Sequence, residues 1–137
     1  YLTISKTNSH RSNYKYIDEE VYLKNYEKYT NCILKQVTNN NFKNDKYKLY
    51  IPCINTRGAI SRSVAYMKYT YPDLLLENVL DFNLLIKWNF LYPPTHHEIE
   101  RNNIIKDIQG NDNPFISKYK KIKFITRPYY YLFNYTY

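Results

Sequence analysis

The residues Thr7-Asn8-Ser9-His10-Arg11-Ser12-Asn13 gather two asparagines, a histidine, an arginine and two serines into seven positions. A second set of polar side chains, His96-His97-Glu98 with Arg101, lies far downstream, and Arg57 and Arg62 stand between the two. The chain carries 20 Lys and Arg against 12 Asp and Glu, a net charge of +8. An excess of that size favours a polyanion as partner, through phosphate neutralisation and counterion release. It is densest at Lys43–Lys48 and Lys118–Lys123. The bland alternative is that the charge keeps a chain with 18 tyrosines soluble. Cys32 and Cys53 lack a CxxC partner and a nearby histidine, which argues against a metal site there and leaves their redox state open.

These residues need elements to hold them. At 137 residues the chain has the size of one domain with its own core. No apolar run approaches the roughly 18 residues of a membrane span, so no membrane partner is expected. The abundance of Asn, Lys, Ile and Tyr matches AT-rich codons and is as much a genomic signature as a functional one. From Tyr1 to about Tyr50 the composition is polar; Asn39–Asp45 reads as a loop, and Lys48–Ile51 as a short strand ended by Pro52.

A helical body follows. Ile60, Val64, Met67 and Tyr71 recur at helical spacing up to Pro72, with Arg57, Ser61, Arg62 and Lys68 away from that stripe. Asp81 reads as the N-cap of a second helix burying Leu84, Leu85 and Trp88 before Pro93-Pro94. Thr95 and Glu98 fit a capping box opening a third helix, with Ile105 and Ile108 buried and Gly110 as its terminating residue. Residues 111–137 form a basic and aromatic extension of the same domain, with Lys121–Ile125 alternating like a half-exposed strand.

At the level of motifs the chain resembles the bacterial endonuclease I family of secreted and periplasmic nucleases. The resemblance is carried by Asn8-x-x-Arg11-Ser12-Asn13, by Asn55–Met67 ending in Tyr71-Pro72, and by Leu84–Trp88. Tyr92-Pro93, Glu98 with Arg101, and Ile108–Phe115 then follow in the family's order. It implies an α+β fold, a mostly helical body beside a small ββα-metal (His-Me finger) element. There a histidine activates water and one divalent cation neutralises the scissile phosphate. Hard oxygen ligands suit Mg²⁺ or Ca²⁺.

Carried over residue by residue, Asn8 is the metal ligand. Arg11 and Asn13 brace the helix or touch phosphate, and Arg57 and Arg62 line the nucleic-acid cleft. Glu98 and Arg101 read as a structural i,i+3 pair, and Gln109, Gly110, Asn111 and Asn113 as a packed, helix-ending turn. The family's Glu-His pair lies upstream of the asparagine motif. The expectation is therefore a single, N-terminally incomplete domain over residues 1–137. His10 would point to another side of a helix than Asn8, and His96 and His97 sit at a helix start as solvated or capping residues.

Two functions follow as expectations. One is a metal-dependent endonuclease of low sequence preference, contacting DNA or RNA through backbone phosphates and catalytic in a longer chain. The alternative is a catalytically inactive nuclease fold, an RNA- or DNA-binding structural subunit with other protein subunits in a ribonucleoprotein assembly. Composition allows a secreted, organellar or viral source.

Overall fold

The computed structural model of the protein describes residues 13–24, 34–38, 40–120, 122–124 and 133–135. Asn8, His10, Arg11, Cys32 and most of the aromatic tail lie outside the described residues. The architecture is α+β. A four-stranded mixed sheet runs in the order β1-β4-β3-β2, with β1 (Lys15–Tyr16) parallel to β4 (Leu49–Ile51). The strands β3 (Asn41–Asn44) and β2 (Lys35–Thr38) add on in antiparallel fashion. A six-residue helix α1 (Glu19–Lys24) follows β1.

The strand β3 corrects the expectation of a loop over Asn39–Asp45. Its asparagines, which read as loop formers, build the turns at its two ends. Asn40 takes a left-handed φ of 59°, a conformation asparagine tolerates better than most residues. The Asn44 side-chain oxygen accepts from Tyr47 N at 2.8 Å, closing the turn into β4. Asn41 is buried, accepting from Cys53 N and donating to Thr38 Oγ1. With those polar groups satisfied, Phe42 is free to pack beside Leu49 and Ile51.

The helices of the body end where expected, although the first begins at Ile54, ahead of Arg57. Helix α2 (Ile54–Thr70) ends before Pro72, α3 (Phe82–Leu91) before Pro93, and α4 (His96–Gln109) at Gly110, whose φ of 81° is the left-handed geometry of a helix end. A four-residue turn, α5 (Pro114–Ser117), follows, capped by Asn113. A separate two-stranded pair joins β5 (Ile122–Phe124) to β6 (Phe133–Tyr135).

The main core lies between sheet and helices: Tyr16, Tyr50, Ile60, Val64, Ala65, Leu85, Trp88 and Phe115 are buried together. Tyr16 meets both Tyr50 and Trp88 edge-on, at centroid distances of 6.0 and 6.4 Å, a favoured aromatic geometry.

Three details correct the sequence reading. Ile108 is 78% exposed and Ile104 55%, with Ile105 only half-buried. The inward face of α4 is instead led by the buried Asn102. Asp81 occupies the N-cap position without capping; its carboxylate pairs with Lys15 at 2.7 Å. Thr95 does accept from Glu98 N at 3.1 Å, but the Glu98 carboxylate turns to Arg62 instead of closing the box.

Candidate nucleic-acid interface and the buried arginines

Helical spacing set Arg57, Ser61 and Arg62 off the apolar stripe of α2, and all three are buried. A long helix packed on two sides has no solvent face at these positions, so each polar group must find a partner inside. Ser61 donates to Gly58 O.

Arg62 is 1% exposed. Its Nε and Nη2 grip both oxygens of Glu98 at 2.6 and 2.8 Å, and its Nη1 donates to Asn89 Oδ1 and Tyr92 O at 3.0 and 2.9 Å. Tyr119 lies under the guanidinium, 5.6 Å from ring centre to Cζ, and donates its own hydroxyl to Asn89 O. This planar fork with two parallel bonds is the strongest form of ion pair that side chains make.

The same node continues through Asn113, whose Nδ2 donates to Arg62 O and whose Oδ1 accepts from Phe115 N. Asn102 accepts from Asn113 N and donates back to Asn113 O. Arg62 thus ties α2, α3, α4 and the turn before α5 into one unit. Gly58 is what permits the approach: a Cβ there would stand 2.1 Å from Tyr92 O and 2.6 Å from Arg62 Nη2.

Arg57 is 4% exposed. It donates to Pro52 O at 2.9 Å and to the Glu19 carboxylate at 2.6 Å, with Trp88 beneath it at 5.7 Å. Beside it, Lys87 bridges Asp18 and Glu20 at 2.8 and 2.7 Å. Burial works to raise the Asp18 carboxyl, but the Lys87 ammonium and the Val21 amide outweigh it and hold Asp18 below its ordinary range. The three consecutive acids Asp18, Glu19 and Glu20 thereby fasten α1 to α2 and α3.

The arginines expected to line a cleft are therefore load-carriers of the body, with their donors taken up by protein. Glu98 pairs with Arg62 rather than with Arg101, which is exposed. Gly110 and Asn113 stand where a packed, helix-ending turn needs them, while Gln109 and Asn111 are exposed. Asn13 is exposed, as is His97, and the His96 side chain is 94% exposed. Asn89, Asn102 and Tyr119 were not anticipated. Asn102 sits four residues after Glu98 on the same face, a signal that a search for apolar periodicity passes over.

Among the described residues the exposed cations are mostly lysines, together with Arg101 on α4. Lys35, Lys46 and Lys48 are exposed at one end of the four-stranded sheet, with Lys43 half-buried between them. Among the described residues no group of three or more His, Cys, Asp or Glu could hold a metal ion. These residues do not by themselves build a cation site, and Asn8 lies outside them. Among the described residues no helix is long and apolar enough to cross a membrane.

The sequence model of the family Endonuclease I matches residues 1–120. The chain belongs to the endonuclease I family. Endonuclease-1 of Buchnera aphidicola subsp. Baizongia pistaciae is 36% identical over 113 residues, covering 82% of this chain and 42% of the relative. Endonuclease-1 of Buchnera aphidicola subsp. Acyrthosiphon pisum is 37% identical over 78 residues, 56% of this chain and 30% of the relative. A periplasmic deoxyribonuclease of Aeromonas hydrophila is 31% identical over 118 residues, 86% of this chain and 45% of the relative. The chain spans less than half the length of these endonuclease I relatives.

Proposed function

We propose that these residues form the nucleic-acid-binding body of an endonuclease I type enzyme that hydrolyses phosphodiester bonds, with DNA as the preferred substrate. The family match over residues 1–120 carries this reading, and the Aeromonas relative, named as a periplasmic deoxyribonuclease, favours DNA over RNA and a compartment outside the cytoplasm.

In this reading the buried Arg62 and Arg57 nodes keep the helical body rigid, so that groups outside it are held to the tolerance phosphoryl chemistry needs. Arg11 and Asn13 contact phosphate. Asn8 is the proposed ligand of a divalent cation, Mg²⁺ or Ca²⁺, which would neutralise charge on the scissile phosphate. The Glu-His pair of the family would come from sequence outside residues 1–137. Contacts made to phosphate and sugar carry no base information, so cutting has little sequence preference.

The test is binding of a short labelled DNA duplex by this chain in EDTA, across a salt series. With about five phosphates neutralised, the log–log salt slope for a duplex is roughly −4.5. A slope near zero would remove nucleic acid as the partner. Binding that persists in EDTA, from a native protein that never cuts, would favour the inactive structural subunit instead.

A further inference from the structure

Lys35 on β2 and Lys43 on β3 stand directly opposite each other in the sheet, a like-charge pairing that is ordinarily unfavourable. The structure holds them together through Asp45. Its carboxylate lies 3.4 Å from Lys35 Nζ and 3.5 Å from Lys43 Nζ, and it accepts from the Tyr14 hydroxyl at 2.6 Å. Lys43 lies over the Tyr14 ring at 5.8 Å, and in the adjoining turn Lys46 lies over the Tyr47 ring at 5.4 Å. Lys48 completes the set with a left-handed φ of 55°. Lys46 and Lys48 are exposed and form no ion pair among the described residues. Four lysines against one aspartate leave this end of the sheet at +3.

We propose that the β3–β4 hairpin, with Lys35 beside it, is a docking surface for the sugar–phosphate backbone flanking the cut site. This rests on the nucleic-acid reading above and says where the strand lies. Several like charges spread along one rim fit a row of phosphates better than a single carboxylate, because each neutralised phosphate releases counterions. The Asn44–Tyr47 hydrogen bond fixes the turn, so its lysines are presented without ordering a mobile loop. The tie to the site is covalent and short. Tyr14, which holds Asp45, directly follows Asn13, the last residue of the Asn8–Asn13 motif. A strand lying on the hairpin therefore passes close to Asn13, where the motif ends in sequence. Asp45 acts as a resident counter-ion, keeping Lys35 and Lys43 side by side while leaving Lys46 and Lys48 to the ligand.

Duplex binding across about 50 to 200 mM salt, read by fluorescence anisotropy in EDTA, tests this. The triple variant Lys35→Gln/Lys46→Gln/Lys48→Asn, with asparagine chosen for the left-handed position, is compared with Lys24→Gln/Arg101→Gln/Lys106→Gln, which removes equal charge from α1 and α4. The hairpin variant is expected to bind on the order of 10- to 100-fold more weakly at low salt, with a slope shallower by roughly 2 to 3, while the helix variant changes little. Lys46→Gln alone, which breaks no ion pair, should weaken binding about three- to tenfold and keeps the test open if the triple variant folds poorly. A steep wild-type slope with an unaffected hairpin variant overturns the hairpin and leaves the functional reading intact. Equal losses in both triple variants would mean net charge alone attracts the duplex, which also overturns it. A wild-type slope near zero removes the functional reading and the hairpin together.

Discussion

The Arg62 node and the Asp45 cluster use the same chemistry, cations around a carboxylate, in opposite surroundings. Arg62 is almost shut off from solvent: its side chain is 1% exposed and that of Glu98 13%. Removing either partner would strand a charge in low dielectric, so the pair is committed to structure. Around Asp45 the side chains of Lys35 and Asp45 are 66% and 46% exposed. Exposed pairs of this kind add little stability and exchange readily for other ions. The difference teaches where to look for a polyanion site in a basic protein. Arginines on a signature helix make up the frame, and lysines at a sheet rim are the ones a ligand can reach.

The largest effect expected from breaking this contrast is at Arg62. Arg62→Met should cost about 3–5 kcal/mol in urea unfolding, because Glu98, Asn89 and Tyr92 O all lose their donor. The double variant Arg62→Met/Glu98→Leu should recover part of that loss, since no charge is then left unpaired. A cost below about 1 kcal/mol for the single change would place Arg62 with the surface cations after all.

Gly58→Ala comes next. The added methyl meets Tyr92 O and the Arg62 guanidinium, so α2 must shift away from α3, at about 1–3 kcal/mol or more. Wild-type stability at this position would mean that the two elements approach less closely than the structure indicates.

A smaller effect distinguishes the half-buried Asp18–Lys87 pair from both extremes. The folded-state Asp18 carboxyl is held below its ordinary value. Its contribution is therefore present above about pH 4 and is lost as pH falls through the folded-state value. With Lys87 partly in solvent, that contribution is about 1 kcal/mol. Lys87→Met should flatten the acid limb of a stability–pH curve; an unchanged limb would show the pair to be energetically silent.

The smallest effect belongs to Asp45→Asn. The melting curve should move little. The Tyr14 phenol, raised chiefly by its hydrogen bond to Asp45, should titrate at lower pH when followed by NMR of labelled tyrosine. A large loss of stability would make the cluster a second structural node and not a ligand surface.

Much of the frame was legible in the sequence. Pro72, Pro93 and Gly110 end helices because proline cannot continue one and glycine tolerates the left-handed exit, so the C-terminal ends of α2, α3 and α4 follow from single residues. The misses have a common cause. Arg62, Glu98 and Asn102 are polar residues serving as core, and their partners are distant in sequence, Glu98 lying 36 positions from Arg62 and Asn113 11 positions from Asn102. Periodicity treats polar as outward, so it puts Ile108 inside and Arg62 off the apolar stripe, whereas Ile108 is exposed and Arg62 buried. The strand β3 was hidden in the same way, because its asparagines are satisfied by partners such as Cys53 N that only the folded chain supplies.

The most direct measurement is plasmid nicking by the native protein purified from its source, with Mg²⁺ and with EDTA, beside an Asn8→Ala variant of the same protein. The account predicts cutting that needs the cation and falls by at least about 100-fold in the variant, while its melting temperature and salt-dependent duplex binding stay near wild type. Full cutting by Asn8→Ala would contradict the proposed role of Asn8 and, with it, the proposed use of this endonuclease I body.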